Sequence, residues 1–230
     1  WLFSRNAGFL RAWPGWRQIK DTLQLALPNS IQQVFFAGGL TTLFWIIAQV
    51  GTNELAIGHV LITIILFLIL PAMGLGMAAT SLVSQSLGRS EPNDAYLWGV
   101  NITLLGMLFL WLVALPLVVM PDQVLSLFFQ EPALIALARA PLQITGLFIG
   151  LDACGIILSQ ALLGAGASRS VMKISILLQW GFFIPAAFLV GPYLGLGLLG
   201  IWICQLLQRL LQAIIMAYQW RAGRWATIRI

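Results

Sequence analysis

Long, nearly uncharged apolar stretches dominate this chain, and they leave few ways for it to fold. A backbone in lipid must satisfy its hydrogen bonds within itself, so only helices and closed barrels cross a bilayer. The stretches run continuously, without the alternation of apolar and polar residues that a barrel strand shows. Each exceeds the ~20 residues that a helix needs to cross the hydrocarbon core. The sequence therefore predicts an all-α integral membrane protein with six transmembrane helices.

The predicted spans cover residues 21–50, 55–87, 95–120, 133–164, 170–192 and 195–219. Turns rich in glycine, proline and asparagine separate them. Residues 1–20 are expected to form a cytoplasmic amphipathic linker, residues 21–219 the six-helix transmembrane lobe, and residues 220–230 a cytoplasmic basic tail. The second span is longer than one membrane thickness and contains Pro71, so a kink, a tilt or a projecting end is expected there. Pro185 is expected to bend the fifth span, because proline cannot donate the helical hydrogen bond.

Charge is scarce and unevenly placed. Only 8% of the residues are charged, compared with about 25% in a typical soluble domain, which argues against a soluble fold. The basic residues collect at span ends, which favours membrane orientation over nucleic-acid binding. An even number of spans places both termini on one side together with Arg89 and Arg169, whereas only Arg139 falls near the other side. We therefore expect both termini in the cytoplasm, with Arg209, inside the last span, snorkelling towards that side.

A metal centre, a redox centre and an enzyme active site are not expected. Cys154 and Cys204 lie inside apolar runs, and the chain has no CxxC pair or Cys/His cluster. No nucleophile–base pair is recognisable, so neither catalytic residues nor a cofactor are predicted. Because residue 1 is tryptophan rather than methionine, the chain is expected to be a piece of a longer polypeptide.

Asp152 is the most informative residue. The other six acidic residues lie in turns or at span ends, but Asp152 lies deep in the fourth span, with no lysine or arginine near it on its helix face. A carboxylate at that depth is costly unless it faces a hydrated cavity, and such residues commonly mark ion pathways. Thr145 and Ser159 lie seven positions away on either side, on the same helix face. These three residues are predicted to form a proton or cation site; a protonated, hydrogen-bonded structural aspartate is the alternative.

Neutral polar residues also lie within the spans. Asn29 and Gln33 belong to the first span, Gln179 to the fifth and Gln205 to the sixth. Each alone could serve as a helix–helix contact worth ~1 kcal/mol. Together they predict a hydrated cavity that binds the substrate.

Glycine motifs predict helix packing rather than nucleotide binding. Residues 195–200 spell GxGxxG, but this motif opens a membrane span and no acidic residue follows it at the required distance. Gly146 and Gly150, like Gly191 and Gly195, have the GxxxG spacing that lets membrane helices approach closely.

An ordered set of segments resembles the second lobe of the multidrug and toxin extrusion (MATE) transporters, especially the NorM type. The segments are residues 25–28 (LALP), 55–60 (LAIGHV), 71–88 (PAMGLGMAATSLVSQSLG), 151–154 (LDAC), 161–166 (ALLGAG) and 195–203 (GLGLLGIWI). No single segment is specific, but their order extends over nearly the whole chain.

The resemblance implies a twelve-helix transporter of two six-helix lobes, of which this chain is the C-terminal one. Its partners would be the N-terminal lobe of the same polypeptide, membrane lipid and a small organic substrate, in the bacterial inner membrane. The resemblance implies export of organic cations or similar compounds, driven by entry of sodium or protons. Asp152 matches the acidic residue that helps to bind the coupling cation. Where relatives often have a second acid in the first helix of this lobe, the chain has Asn29, Gln32 and Gln33.

Two other functions are compatible with a six-span chain. A lipid-linked sugar flippase of the same superfamily would line its cavity with several basic residues, and almost none lie within these spans. A non-transporting membrane scaffold would have little use for a buried acid such as Asp152.

Overall fold

The structure, a computed structural model, describes residues 16–227, and within this range it contains helices and no strand. The helices are α1 (Trp16–Val50), α2 (Thr52–Gly88), α3 (Pro92–Val119), α4 (Pro121–Ser126), α5 (Pro132–Gly164), α6 (Ser168–Tyr193) and α7 (Gly197–Arg221), followed by a 3₁₀ turn at Arg224–Thr227. All except the short α4 are long and apolar enough to cross a membrane. The predicted all-α fold with six membrane helices is confirmed.

Proline and glycine mark several helix boundaries. Pro92, Pro121 and Pro132 lie in the first turn of α3, α4 and α5, where the missing N–H is not needed. The turn between α6 and α7 has positive φ at Gly195 (69°) and Gly197 (62°), which glycine adopts without steric cost. A Cβ added to Gly195 would meet no atom within 4 Å. The packing role predicted for Gly195 is therefore wrong, and the residue serves the turn instead.

The helix α5 lies at the centre of the bundle. Of the residues in its most hydrophobic stretch, 56% are buried, whereas the share is 22% to 39% in the other five membrane helices. It packs along α2, α3 and α7. Gly146 of α5 lies against Leu117 and Gly150 lies against the ring of Trp111, which confirms their predicted packing role. A residue in the middle of α5 is therefore enclosed on several sides by neighbouring helices.

Two wide, π-helical turns interrupt the α-helical geometry of α6, at Leu177–Phe183 and Leu189–Tyr193. Pro185 follows the first turn and Pro192 lies within the second. A proline ring clashes with the carbonyl four residues earlier, and a wider turn relieves that clash. The irregularity expected at Pro185 thus takes the form of a π-helical turn, whereas α2 remains one continuous helix through Pro71.

The ends of the described chain extend the helices beyond the predicted spans. The α1 helix begins at Trp16, so the last residues of the predicted linker are helical, while residues 1–15 of that linker lie outside the described residues. At the other end, α7 continues to Arg221. Trp225 of the 3₁₀ turn stacks on Trp220 with ring centroids 4.3 Å apart, so part of the predicted basic tail folds back onto the bundle.

Candidate functional site

A cavity of about 200 Å³ lies between α1, α2, α5, α6 and α7. Its wall combines apolar side chains, such as Phe36 and Phe183, with many neutral polar ones. The polar lining residues are Asn29, Gln32, Gln33, Ser159, Gln160, Ser175, Gln179, Gln205, Gln208 and Gln212. The four residues predicted to line a substrate cavity, Asn29, Gln33, Gln179 and Gln205, all belong to this wall, and their role in binding a substrate stays a prediction.

Hydrogen bonds between α6 and α1 hold one side of the large cavity. Trp180 Nε1 donates to the Phe35 carbonyl oxygen at 3.0 Å, and Gln179 Nε2 donates to the Phe36 carbonyl oxygen at 3.3 Å. Gln32 Nε2 donates to Ser175 Oγ at 3.4 Å. The bonds from Trp180 and Gln179 end on backbone carbonyls of α1, and the bond from Gln32 ends on the Ser175 hydroxyl, so all three position the two helices without breaking either one.

Part of the polar wall has no protein partner in the described chain. Gln32 Oε1 and Gln205 Oε1 are buried and accept no hydrogen bond there. Buried polar atoms are normally satisfied by protein or by ordered water. A wall of this kind is suited to water or to a ligand with hydrogen-bond donors.

Asp152 lies next to a second, smaller cavity of about 30 Å³. Its side chain is 13% exposed and comes from the middle of the central helix α5. Thr145, Trp202, Gln205 and Arg209 also line this small cavity. A space of this size holds one or two water molecules. Carboxylate, hydroxyl and amide oxygens from Asp152, Thr145 and Gln205 are the hard oxygen ligands that a small cation prefers.

Arg209 lies elsewhere than the sequence predicts. Instead of snorkelling towards the cytoplasmic end, it points into the bundle, with Nε 3.8 Å from Asp152 Oδ1 and a side chain that is 19% exposed. The sequence predicted that Asp152 has no basic neighbour on its own helix face, and this is true of α5. The basic neighbour, Arg209, comes from α7. One signal was available: Gln205, Arg209 and Gln212 follow one another at i, i+4 and i+7 on a single polar face of α7.

The three residues predicted to bind the coupling cation are divided between the two cavities. Thr145 shares the small cavity with Asp152, whereas Ser159 lines the large cavity. The Ser159 hydroxyl donates to the Gly155 carbonyl oxygen at 2.6 Å. Asp152 and Thr145 are thus brought together, and Ser159 is separated from them.

Comparison with known proteins places the chain in a family. The family model described as MatE matches residues 28–189. The chain is 27% identical over 214 residues to a probable multidrug resistance protein NorM of Thermotoga maritima, covering 92% of this chain and 46% of that protein. It is 25% identical over 227 residues to a probable NorM of Neisseria meningitidis serogroup B, covering 95% of this chain and 49% of that protein.

A solved structure has the same fold. A crystal structure of MATE in the straight conformation superposes with a TM-score of 0.85 at 21% identity, over 96% of this chain and 51% of that one. The chain spans about half the length of the curated relatives it matches. Since the family match extends over more than half of the sequence and includes Asp152, the chain belongs to the MatE family and forms one six-helix half of such a multi-pass membrane protein.

Proposed function

We propose that this chain is the C-terminal lobe of a cation-coupled efflux antiporter, which exports organic cations or similar compounds as sodium or protons enter. The observation that carries the proposal is the position of Asp152, whose carboxyl group lies on the central helix beside a small cavity. The large polar cavity adjoins it. The multidrug resistance proteins among the relatives support a transporter of small organic compounds.

Cation coupling follows from the cost of burying a carboxylate. An ionised acid inside a bilayer needs a positive partner, or a proton, to offset its burial. Among the described residues, the Asp152 carboxyl group has one basic partner within reach, Arg209, and it adjoins a cavity that admits a small ion or water. Exchange between the arginine, a sodium ion and a proton is therefore chemically possible at one carboxyl group. Such exchange is what an antiporter needs to sense its driving ion.

The large cavity fits a small amphiphilic substrate. Side chains such as Phe36, Met73 and Phe183 supply apolar area, and the amides of glutamines and of Asn29 supply hydrogen bonds. Ligand sites combine apolar wall with polar groups that fix the orientation of the ligand, and this cavity supplies both. The side chains of Asn29 and Gln33 are exposed in this lobe, which supports a second lobe of the same polypeptide facing them.

Orientation in the cell membrane is proposed from the basic residues. Arg89, Arg169, Lys173 and Arg224 all follow turns or helix ends on the same side as the two termini. On the opposite side Arg139 pairs with Asp122 at 3.4 Å. An excess of basic residues marks the cytoplasmic side, and this supports the proposal that both termini are cytoplasmic. The flippase alternative is not favoured, because Arg209 is the sole basic side chain that lines either cavity in the described residues.

Efflux from proteoliposomes tests the proposal. The full-length transporter that contains this lobe is reconstituted, and export of a fluorescent organic cation is followed under an imposed sodium or proton gradient. Asp152→Asn is nearly isosteric and removes the exchangeable charge, so gradient-driven efflux should be lost. Asp122→Asn is the matched control, because that acid forms an exposed ion pair, and it should retain wild-type rates. Wild-type efflux by Asp152→Asn at equal reconstitution would show that Asp152 is structural.

A further inference from the structure

Arg209 is shared by the two cavities. It lines the large cavity and also the small one, together with Ile65 and Gln205. Asp152 lines only the small cavity and not the large one. A movement of the guanidinium within the reach of its own side chain therefore transfers charge from one cavity to the other.

The pair between Arg209 and Asp152 is loose. The distance from Nε to Oδ1 is 3.8 Å, whereas a charge-assisted hydrogen bond of this type spans about 2.7–2.9 Å. Arg209 Nε is buried and has no hydrogen-bond partner in the described residues. The guanidinium is thus held near the carboxylate by charge rather than by directed hydrogen bonds, and a small competing cation can replace it.

Among the described residues that line the two cavities, Asp152 is the only one whose charge can compensate Arg209. Around the small cavity, α2 contributes Ile65 and α7 contributes Trp202, Gln205 and Leu206, none of which is charged. The described residues that line the large cavity include no acidic side chain. When Asp152 is neutral, Arg209 therefore leaves an unbalanced positive charge at the wall of the large cavity.

This inference rests on the function proposed above. We infer that Arg209 is a positioning residue that links the two cavities of this lobe. Paired with Asp152, it leaves the large cavity open to an organic cation. When a sodium ion or proton neutralises Asp152, the freed guanidinium repels that cation, because like charges in a medium of low polarity repel strongly. The driving ion and the substrate thus exclude each other without sharing a binding site.

We call this link between Asp152, Arg209 and the large cavity the relay. Equilibrium binding to the purified full-length transporter tests it without any gradient. The probe is tetraphenylphosphonium, a monovalent organic cation, measured by calorimetry. Asp152→Asn mimics the neutralised carboxyl group and should weaken binding about tenfold or more. Arg209→Gln should bind as tightly as the wild type or more tightly. The double variant Asp152→Asn/Arg209→Gln should recover to within about threefold of the wild type, because it has no free charge to repel the probe.

A charge-retaining variant separates electrostatics from shape. Asp152→Asn/Arg209→Lys keeps a positive charge at this position and should bind as weakly as Asp152→Asn alone. All variants are compared at equal thermal stability and with a single elution peak in detergent. The inference is overturned if the glutamine double variant stays as weak as Asp152→Asn, or if Asp152→Asn binds normally, or if the wild type binds no probe.

The two proposals fail in different ways. If the wild type exports the probe under a gradient but the double variant does not recover binding, the antiporter proposal stands and the relay is overturned. If binding by the variants follows the expected pattern but the wild type exports nothing under a sodium or proton gradient, the relay stands and the antiporter proposal is overturned.

Discussion

The indole of Trp202 on α7 donates a hydrogen bond of 3.2 Å from Nε1 to Thr145 Oγ1 on α5. The same hydroxyl donates to the Pro141 carbonyl oxygen at 2.9 Å. Trp202 is only 2% exposed, and a buried indole N–H requires an acceptor. Thr145 therefore helps to set the rotation of α7 against α5, and with it the approach of Arg209 to Asp152.

Replacing Thr145 by valine should remove that acceptor while keeping the shape of the side chain. We expect a loss of stability of about 1 kcal/mol and a reduced rate of gradient-driven efflux, because Asp152 remains in place but α7 is less firmly oriented. Thermal unfolding in detergent and efflux from proteoliposomes measure the two effects. Thr145→Ser retains the hydroxyl and should behave like the wild type; equal impairment of both variants would contradict a role for the hydrogen bond.

The contact between α5 and α2 leaves no room for a side chain at Gly164. A Cβ at Gly164 would lie 2.5 Å from the Thr80 carbonyl oxygen and 2.9 Å from Thr80 Cα. Thr80 Oγ1 also donates to the Gln160 carbonyl oxygen at 2.8 Å. Gly164→Ala should therefore push the two helices apart and destabilise the transporter by about 1–3 kcal/mol, measured as a lower unfolding temperature.

The control for this substitution is Gly74→Ala. Gly74 lies in the middle of α2, and an added Cβ would meet no atom within 4 Å. Alanine has the higher helix propensity, so Gly74→Ala should leave the unfolding temperature unchanged or raise it. Two alanine variants with the same unfolding temperature would show that the α2–α5 contact adjusts freely.

The helices could be predicted from the sequence because crossing a bilayer depends on length and hydrophobicity along one segment. The predicted span 133–164 differs from α5 (Pro132–Gly164) by one residue. Length and hydrophobicity do not show where a helix continues beyond the bilayer into water. The predicted first span began at residue 21, but α1 begins at Trp16.

The pairing of Asp152 with Arg209 could not be predicted in this way. It depends on the rotation of α7 around its axis relative to α5, and that rotation is set by contacts such as the one between Trp202 and Thr145. The depth of Asp152 in its helix identified a costly charge, but not the partner that offsets it. The large cavity was easier to predict, because several neutral polar residues on different helices each require water or a ligand as a hydrogen-bond partner inside the membrane.

Membrane topology is tested by cysteine accessibility in intact cells. Asn53 and Asn93 are exposed and lie in the first turns of α2 and α3. In a background with Cys154 and Cys204 replaced by alanine, Asn53→Cys should react with an impermeant thiol reagent, and Asn93→Cys should react only after the cells are permeabilised. This outcome follows from the basic residues near α3 and both termini. The reverse pattern would show that the orientation is inverted.

We expect no transport by the lobe on its own. Transporter sites commonly lie between two repeats near the middle of the bilayer, and Asn29 and Gln33 at the cavity are exposed in this single lobe. Expressed alone, residues 1–230 should enter the membrane but confer no resistance to organic cations, since the cavity has no opposing wall. Co-expression with the remaining part of the transporter as a separate chain should restore resistance, and Asp152→Asn in the lobe should abolish that recovery. Resistance from the lobe alone, with membrane insertion verified by fractionation, would contradict the two-lobe arrangement. Cross-linking would then show whether a second copy of the lobe supplies the missing wall.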